Sequence, residues 1–214
     1  MAKNQYTLPP IVALVVYAND TVVQRARVTK KQISKPKRGE IMEFSDNARK
    51  RLAFVASNTE VEFQSMITLT YPGSFSCDGK VVKRHLYQFL YWLKELMPGV
   101  NYLWFLEFQR RGAPHFHILL DCQPVHYGGT WPSFQFSVAN TWYNIVRSRD
   151  HKHLLAGTRS ERLRTPEGGK HYCVKYAQKM EQKTVPASFW NVGRFYGYSY
   201  AVRPKAKAIV PATW

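Results

Sequence analysis

Apolar positions along the chain switch between two periods, and the switches predict the elements. IVALVVYA at 11–18 is a continuous apolar run that reads as a strand. FSDNARKRLAFVAS at 44–57 carries a helix-start signal at Ser45 or Asp46, then Ala48, Leu52 and Val55 at helical spacing. SMITLTYPG at 65–73 is β-branched and alternating and stops at Pro72-Gly73, which predicts a strand and a turn. In GKVVKRHLYQFLYWLKELMPG, Val82, Leu86, Phe89, Leu90, Leu93 and Met97 share one helical face, with Lys83, Arg84 and Lys94 elsewhere on the circle. NYLWFLEFQ (101–109) and HFHILLD (115–121) read as strands joined by Arg-Arg-Gly-Ala-Pro, a length that suits a hairpin. FQFSVANTWYNIV (134–146) and KHYCVKYAQKMEQK (170–183) have helical patterns.

Between these elements lie two basic stretches that read as loops. RARVTKKQISKPKRGE is broken by Pro36 and Gly39 and suits either contact with phosphates or a solvated linker. The segment 147–170 carries Arg147, Arg149, Arg159, Arg162 and Arg164. From 184 onward the chain is rich in aromatic, Gly and Pro residues. The order strand, helix, two hairpin-joined strands, helix implies an α+β fold, with a mainly antiparallel sheet of about five strands and flanking helices. One domain over 1–214 is expected, with an extension to residue 60, a core at 61–185 and a tail at 186–214.

Charge narrows the partners. Lys and Arg number 31 against 14 acidic residues, a formal +17 that favours a polyanion, nucleic acid first. The 13 Tyr, 12 Phe and 6 Trp add stacking surface for bases. No apolar run approaches the ~18 residues of a membrane span, and no lipidation or amphipathic anchor stands out, so no membrane partner is expected. Cys77, Cys122 and Cys173 form no CxxC pair and are odd in number, which suits a reducing, cytoplasmic compartment.

Two constellations carry chemistry. On a strand, His115 and His117 point to the same side, ~7 Å apart along the chain, with Phe116 opposite. Glu107 is the one carboxylate between Glu95 and Asp121, and hairpin pairing would bring it alongside. Two imidazoles and one carboxylate leave coordination positions open; mixed N/O ligation suits Mn²⁺, with Mg²⁺ or Zn²⁺ also accommodated. A bare His-x-His is more often structural. HKH at 151–153, with a charged centre and no acidic partner strand, reads as surface.

The second constellation is YCVKYAQK at 172–179, two overlapping copies of Tyr-x-x-Lys. On a helix, Tyr172, Lys175, Tyr176, Lys179 and Lys183 fall on one face, and Cys173, Ala177 and Met180 on an adjoining arc that could bury. Two phenols among three ammonium groups suit a phosphate, although an amphipathic helix with a solvated lysine face explains the same pattern. Tyrosine, with its pKa near ~10, needs a cation or base before it attacks.

Taken together, the chain resembles the HUH endonucleases, in particular the rolling-circle replication initiators (Rep proteins) of plasmids and single-stranded DNA phages. MITLTYP, LEFQRRGAPHFHILL and YCVKYAQK resemble that family's three motifs, in order, across residues 65 to 183. The resemblance implies an RRM-like, ferredoxin-like palm carrying both histidines, faced by the tyrosine helix. It implies that His115, His117 and Glu107 hold a metal and that Lys175 or Lys179 faces the phosphate. Tyr176 corresponds to the nucleophile the family shares, and Tyr172 to the extra tyrosine of the two-tyrosine subset. The implied reaction nicks one strand of an origin, forms a 5′-phosphotyrosine and a free 3′-OH, and can rejoin ends without ATP.

The substrate so implied is single-stranded or hairpin origin DNA in a prokaryotic host cell. The candidates for contacting it are Arg110, Arg111, Arg159, Arg162, Arg164, Lys183 and Arg194, with Trp190, Phe195 and Tyr196 for stacking. No G-x-x-x-x-G-K-[ST] is present, so unwinding falls to a separate helicase and extension to a host polymerase. A transposase, a mobilisation relaxase and a non-enzymatic nucleic-acid-binding protein are the alternatives.

Overall fold

The computed structural model describes residues 8–26, 41, 43–178 and 184–212. In chain order its elements are β1 (Ile11–Val16), β2 (Thr21–Arg25), α1 (Asp46–Asn58), β3 (Ser65–Thr70), α2 (Gly79–Leu96), β4 (Tyr102–Phe108) and β5 (Pro114–Leu120). They continue with α3 (Trp131–Ile145), α4 (His151–Ala156), β6 (Thr158–Arg162), α5 (Pro166–Gln178), β7 (Tyr196–Tyr198) and β8 (Ala208–Pro211). Five strands form one antiparallel sheet in the order β6-β3-β5-β4-β7, as the α+β expectation required. A second, three-stranded sheet, β2-β1-β8, joins segments from the two ends of the described chain. Among the described residues no helix is long and apolar enough to cross a membrane.

Side-chain alternation divides the central sheet into two faces. Ile67, Leu69, Trp104, Leu106, Phe116 and Ile118 lie on one face and are all buried. Helix α2 covers this face with Val82, Leu86, Phe89, Leu90 and Leu93, each side chain contributing about 1.5–3 kcal/mol of burial. Asp78 caps α2 by accepting a hydrogen bond from the Lys80 N–H at 2.9 Å. On the other face sit α5 and α1, packed against each other. Phe44, just before α1, stacks on Phe195 at 4.9 Å, so the segment set apart as an extension supplies part of the core.

Four sequence expectations change. Lys83 is not on the solvent side of α2: it is 9% exposed, because it stands three residues before Leu86 and seven before Leu90 on the buried face. The stretch 147–170 is not a loop but holds α4, β6 and the start of α5. His153 is not a surface residue; it is buried and its Nε2 lies 2.8 Å from the Thr70 carbonyl. The helix expected at 134–146 begins at Trp131, with the Thr130 hydroxyl accepting from Ser133 N–H and proline in its first turn. The basic stretch 27–40 lies outside the described residues.

Candidate metal centre and tyrosine helix

The site follows from strand register. Thr70 pairs with His115 and His115 with Glu107, giving one row across three strands. Thr68, His117 and Phe105 make the next row on the same face. The β4–β5 turn fixes this alignment: Gly112, at φ 79, takes a left-handed conformation that other residues resist, and its N–H bonds Gln109 O at 2.8 Å. One ligand atom from each of Glu107, His115 and His117 lies within 4.8 Å of the others. His117 Nε2 is 3.1 Å from Glu107 Oε2.

The donor set fits a divalent cation, and the second layer of contacts strengthens the fit. Thr70 Oγ1 lies 2.9 Å from His115 Nδ1, and Thr68 Oγ1 lies 3.2 Å from His117 Nδ1. With each Nδ1–H donated to a threonine, each Nε2 keeps its lone pair for a metal. Burial, then the neighbouring His117, pushes the His115 pKa down to about 4, so that ring stays neutral and able to ligate at physiological pH. Sequence reasoning missed both threonines. Their signal is the same one-residue gap as in His-x-His, visible only once β3 is known to pair with β5.

Helix α5 brings the two phenols to this face at different depths. The Tyr172 ring packs edge-on against His117 at 5.6 Å and is 38% exposed. Burial, then the Glu107 carboxylate, raises its pKa to about 12, while Arg159 on β6 pulls the other way. Tyr176 is 4% exposed, stacks on Phe105 at 4.3 Å and donates its hydroxyl to the Leu106 carbonyl. Burial raises its pKa further than that of Tyr172. Tyr176 therefore joins Cys173 and Ala177 on the buried arc, instead of sharing an open face with Tyr172 and the lysines. Lys175 is exposed on α5, and Lys179, Met180 and Lys183 lie outside the described residues.

The arginines expected to touch DNA divide by location. Arg159 pairs opposite Thr68, which puts it on the site face, where it meets Glu161 at 2.7 Å. Arg162 and Arg164 are exposed beyond it, and Arg110 is exposed at the β4–β5 turn. Arg111 is committed within the protein: it donates to the Tyr71 and Pro72 carbonyls and lies over Phe75 at 5.3 Å. Arg194 joins Arg51, Tyr196 and Tyr198 along a groove of about 840 Å³ between α1 and β7. Arg51 escapes a reading of its helix that weighs only the apolar face. Phe195 is buried in the core, which leaves Tyr196, Tyr198 and the half-exposed Trp190 for stacking.

The sequence pattern of a family described as Replication-associated protein, of the ORF2 type, matches residues 64–181, more than half of the chain. No curated protein and no solved structure matches it.

Proposed function

Because the chain belongs to this family of replication-associated proteins, we propose that it starts replication by nicking and rejoining one DNA strand through a tyrosyl-phosphate ester. The observation that carries this is the meeting of Glu107, His115 and His117 within 4.8 Å, with the Tyr172 ring against His117. A divalent cation on these ligands, Mn²⁺ or Mg²⁺ by its mixed N/O donors, supplies Lewis acidity to a phosphate oxygen and offsets the Glu107 charge that disfavours a phenolate.

Tyr172 is the first nucleophile. Its ring is accessible, whereas Tyr176 must release the Leu106 carbonyl before its oxygen can reach a substrate. The Tyr172 oxygen bonds to phosphorus as the bond from phosphorus to the 3′ oxygen breaks. The phenol proton leaves, and the 3′ oxygen takes one up to become the free 3′-OH. The 5′ end stays on tyrosine, and the reverse attack by a 3′-OH restores the phosphodiester without ATP. Arg159 favours the phenolate from the sheet edge, and Lys175, one turn along α5 from Tyr172, is the cation assigned to the phosphate. The Arg51–Arg194 groove with Tyr196 and Tyr198 would grip the flanking single strand. A separate helicase opens the duplex, and a host polymerase extends the 3′ end.

The test is an adduct assay with Mn²⁺ and single-stranded DNA from the cognate origin. Wild type gives a protein–DNA adduct that survives denaturation, Tyr172→Phe gives almost none, and Tyr176→Phe retains it. An adduct that persists in the Tyr172→Phe, Tyr176→Phe double variant refutes the nucleophile assignment. His115→Ala should lose at least 100-fold in cleavage, on the order that metal-site defects cost, while still binding DNA.

A further inference from the structure

A cleft of about 1250 Å³ lies between α2 and the C-terminal end of α3, and none of the three metal-site residues lines it. Three guanidinium groups do: Arg84 from α2, and Arg147 and Arg149 from the segment after α3. All three are exposed, and among the described residues none makes an ion pair or a side-chain hydrogen bond. A helix C-terminus attracts a nearby cation, but Arg84 stands on a different helix and gains nothing from that dipole. The one carboxylate on the wall, Asp150, is turned to the Lys152 N–H, where it caps α4.

The wall between the arginines is built for more than charge. Phe75 and Trp92, both half-buried, offer ring faces. His85 also lines the cleft, with Nδ1 3.0 Å from the Tyr71 hydroxyl, and a phenol donating there leaves Nε2–H as a neutral donor on the cleft wall. Burial first, then Arg84 and Arg147, keeps that ring below its ordinary pKa, which places both guanidiniums close to it. Arg147 itself has φ 51, at a position past a helix end where glycine is usual. An arginine held in that disfavoured conformation is accounted for when its side chain is used.

Unpaired guanidiniums interleaved with ring faces suit a flexible polyanion whose bases are free to stack. Duplex DNA would present phosphates here but no base faces. The cleft is also tied to the cutting site. Its Pro72–Ser76 wall follows directly on Thr70, which holds His115, and Arg111 clamps that wall by the Tyr71 and Pro72 carbonyls.

We propose that this cleft is a second seat for single-stranded DNA, with Arg84, Arg147 and Arg149 on phosphates and Phe75 and Trp92 against bases. It holds a length of the strand away from the cut. This rests on the nicking assignment for the origin of the strand, but binding in the cleft needs no chemistry.

The experiment measures binding of an oligothymidylate of about 30 nucleotides in EDTA, across a salt series, for wild type and for an Arg84→Ala, Arg149→Ala variant. Both side chains are exposed, and a far-ultraviolet dichroism spectrum confirms that the variant folds. Two lost phosphate contacts should weaken binding roughly tenfold at 0.1 M salt and lower the slope of log K against log salt by about 1.4. Trp92 fluorescence, isolated in a background with the other tryptophans replaced by Phe, should quench on binding in wild type and much less in the variant. Wild-type affinity and slope in the variant overturn the proposal, as does a duplex of equal length that competes as well as the single strand. If binding falls as expected but no covalent adduct ever forms on origin DNA, the cleft stands and the nicking assignment fails. If adducts form but the variant binds as wild type, the reverse holds.

Discussion

Lys83→Met removes an amine from the interior of the protein, and the effect should depend on pH with a definite sign. Lys83 Nζ has no hydrogen-bond partner among the described residues and sits 5.0 Å from the Trp104 ring and 5.2 Å from the Phe116 ring. Burial pulls its pKa from 10.5 down to about 7. The unfolded lysine keeps its proton up to 10.5 and the folded one gives it up near 7, so between these values the unfolded state binds more protons and stability rises with pH. From pH 6 to pH 9 the shift is worth at most about 2–3 kcal/mol. The two rings favour the charged form by up to about 2 kcal/mol in a dry site, which trims the gain. Methionine fills nearly the same space without charge. Urea unfolding should therefore show Lys83→Met more stable than wild type by about 1–3 kcal/mol at pH 6, with the gap shrinking at pH 9. The difference between the two proteins cancels the tyrosines and cysteines that titrate higher. A gap that does not change with pH, or that widens at pH 9, refutes the buried charged amine.

Thr70→Val should weaken Mn²⁺ binding about 10- to 100-fold, measured by calorimetry, because His115 loses the contact that fixes its tautomer; unchanged affinity removes the threonine from the site. Gly197→Ala puts a methyl 2.8 Å from the Trp104 indole nitrogen, so it should cost about 1–3 kcal/mol and lower the Tm by roughly 3–10 °C. A wild-type Tm would mean that β7 can move off β4 at no cost.

How much of this was legible depended on whether a signal was local. The β4–β5 hairpin and α2 declare themselves through period and turn chemistry, and the hairpin alone places all three ligands. Strand β6 hid because its sequence, TRSER, has no apolar residue, and as an edge strand it buries only Ser160. Strand β7 is three residues long, with a glycine in the middle that exists to clear Trp104. The burial of His153 required knowing where the Thr70 carbonyl would lie, which no local pattern encodes. The helical wheel brought Tyr172 and Tyr176 to one side correctly, but an angle carries no depth. Only the position of Phe105 and Leu106 beneath α5 sets one phenol against a carbonyl and leaves the other at the rim.

Because Glu107, His115 and His117 all come from one hairpin, the cation site is specified by its alignment alone. Deleting a single residue between Gly112 and His115 would rotate both imidazoles through the sheet to meet α2 and swing Phe116 out beneath Tyr172. The ligand centre is thus inherited or lost as one portable unit, while the attacking group on α5, and the strand-gripping arginines, can vary around it independently.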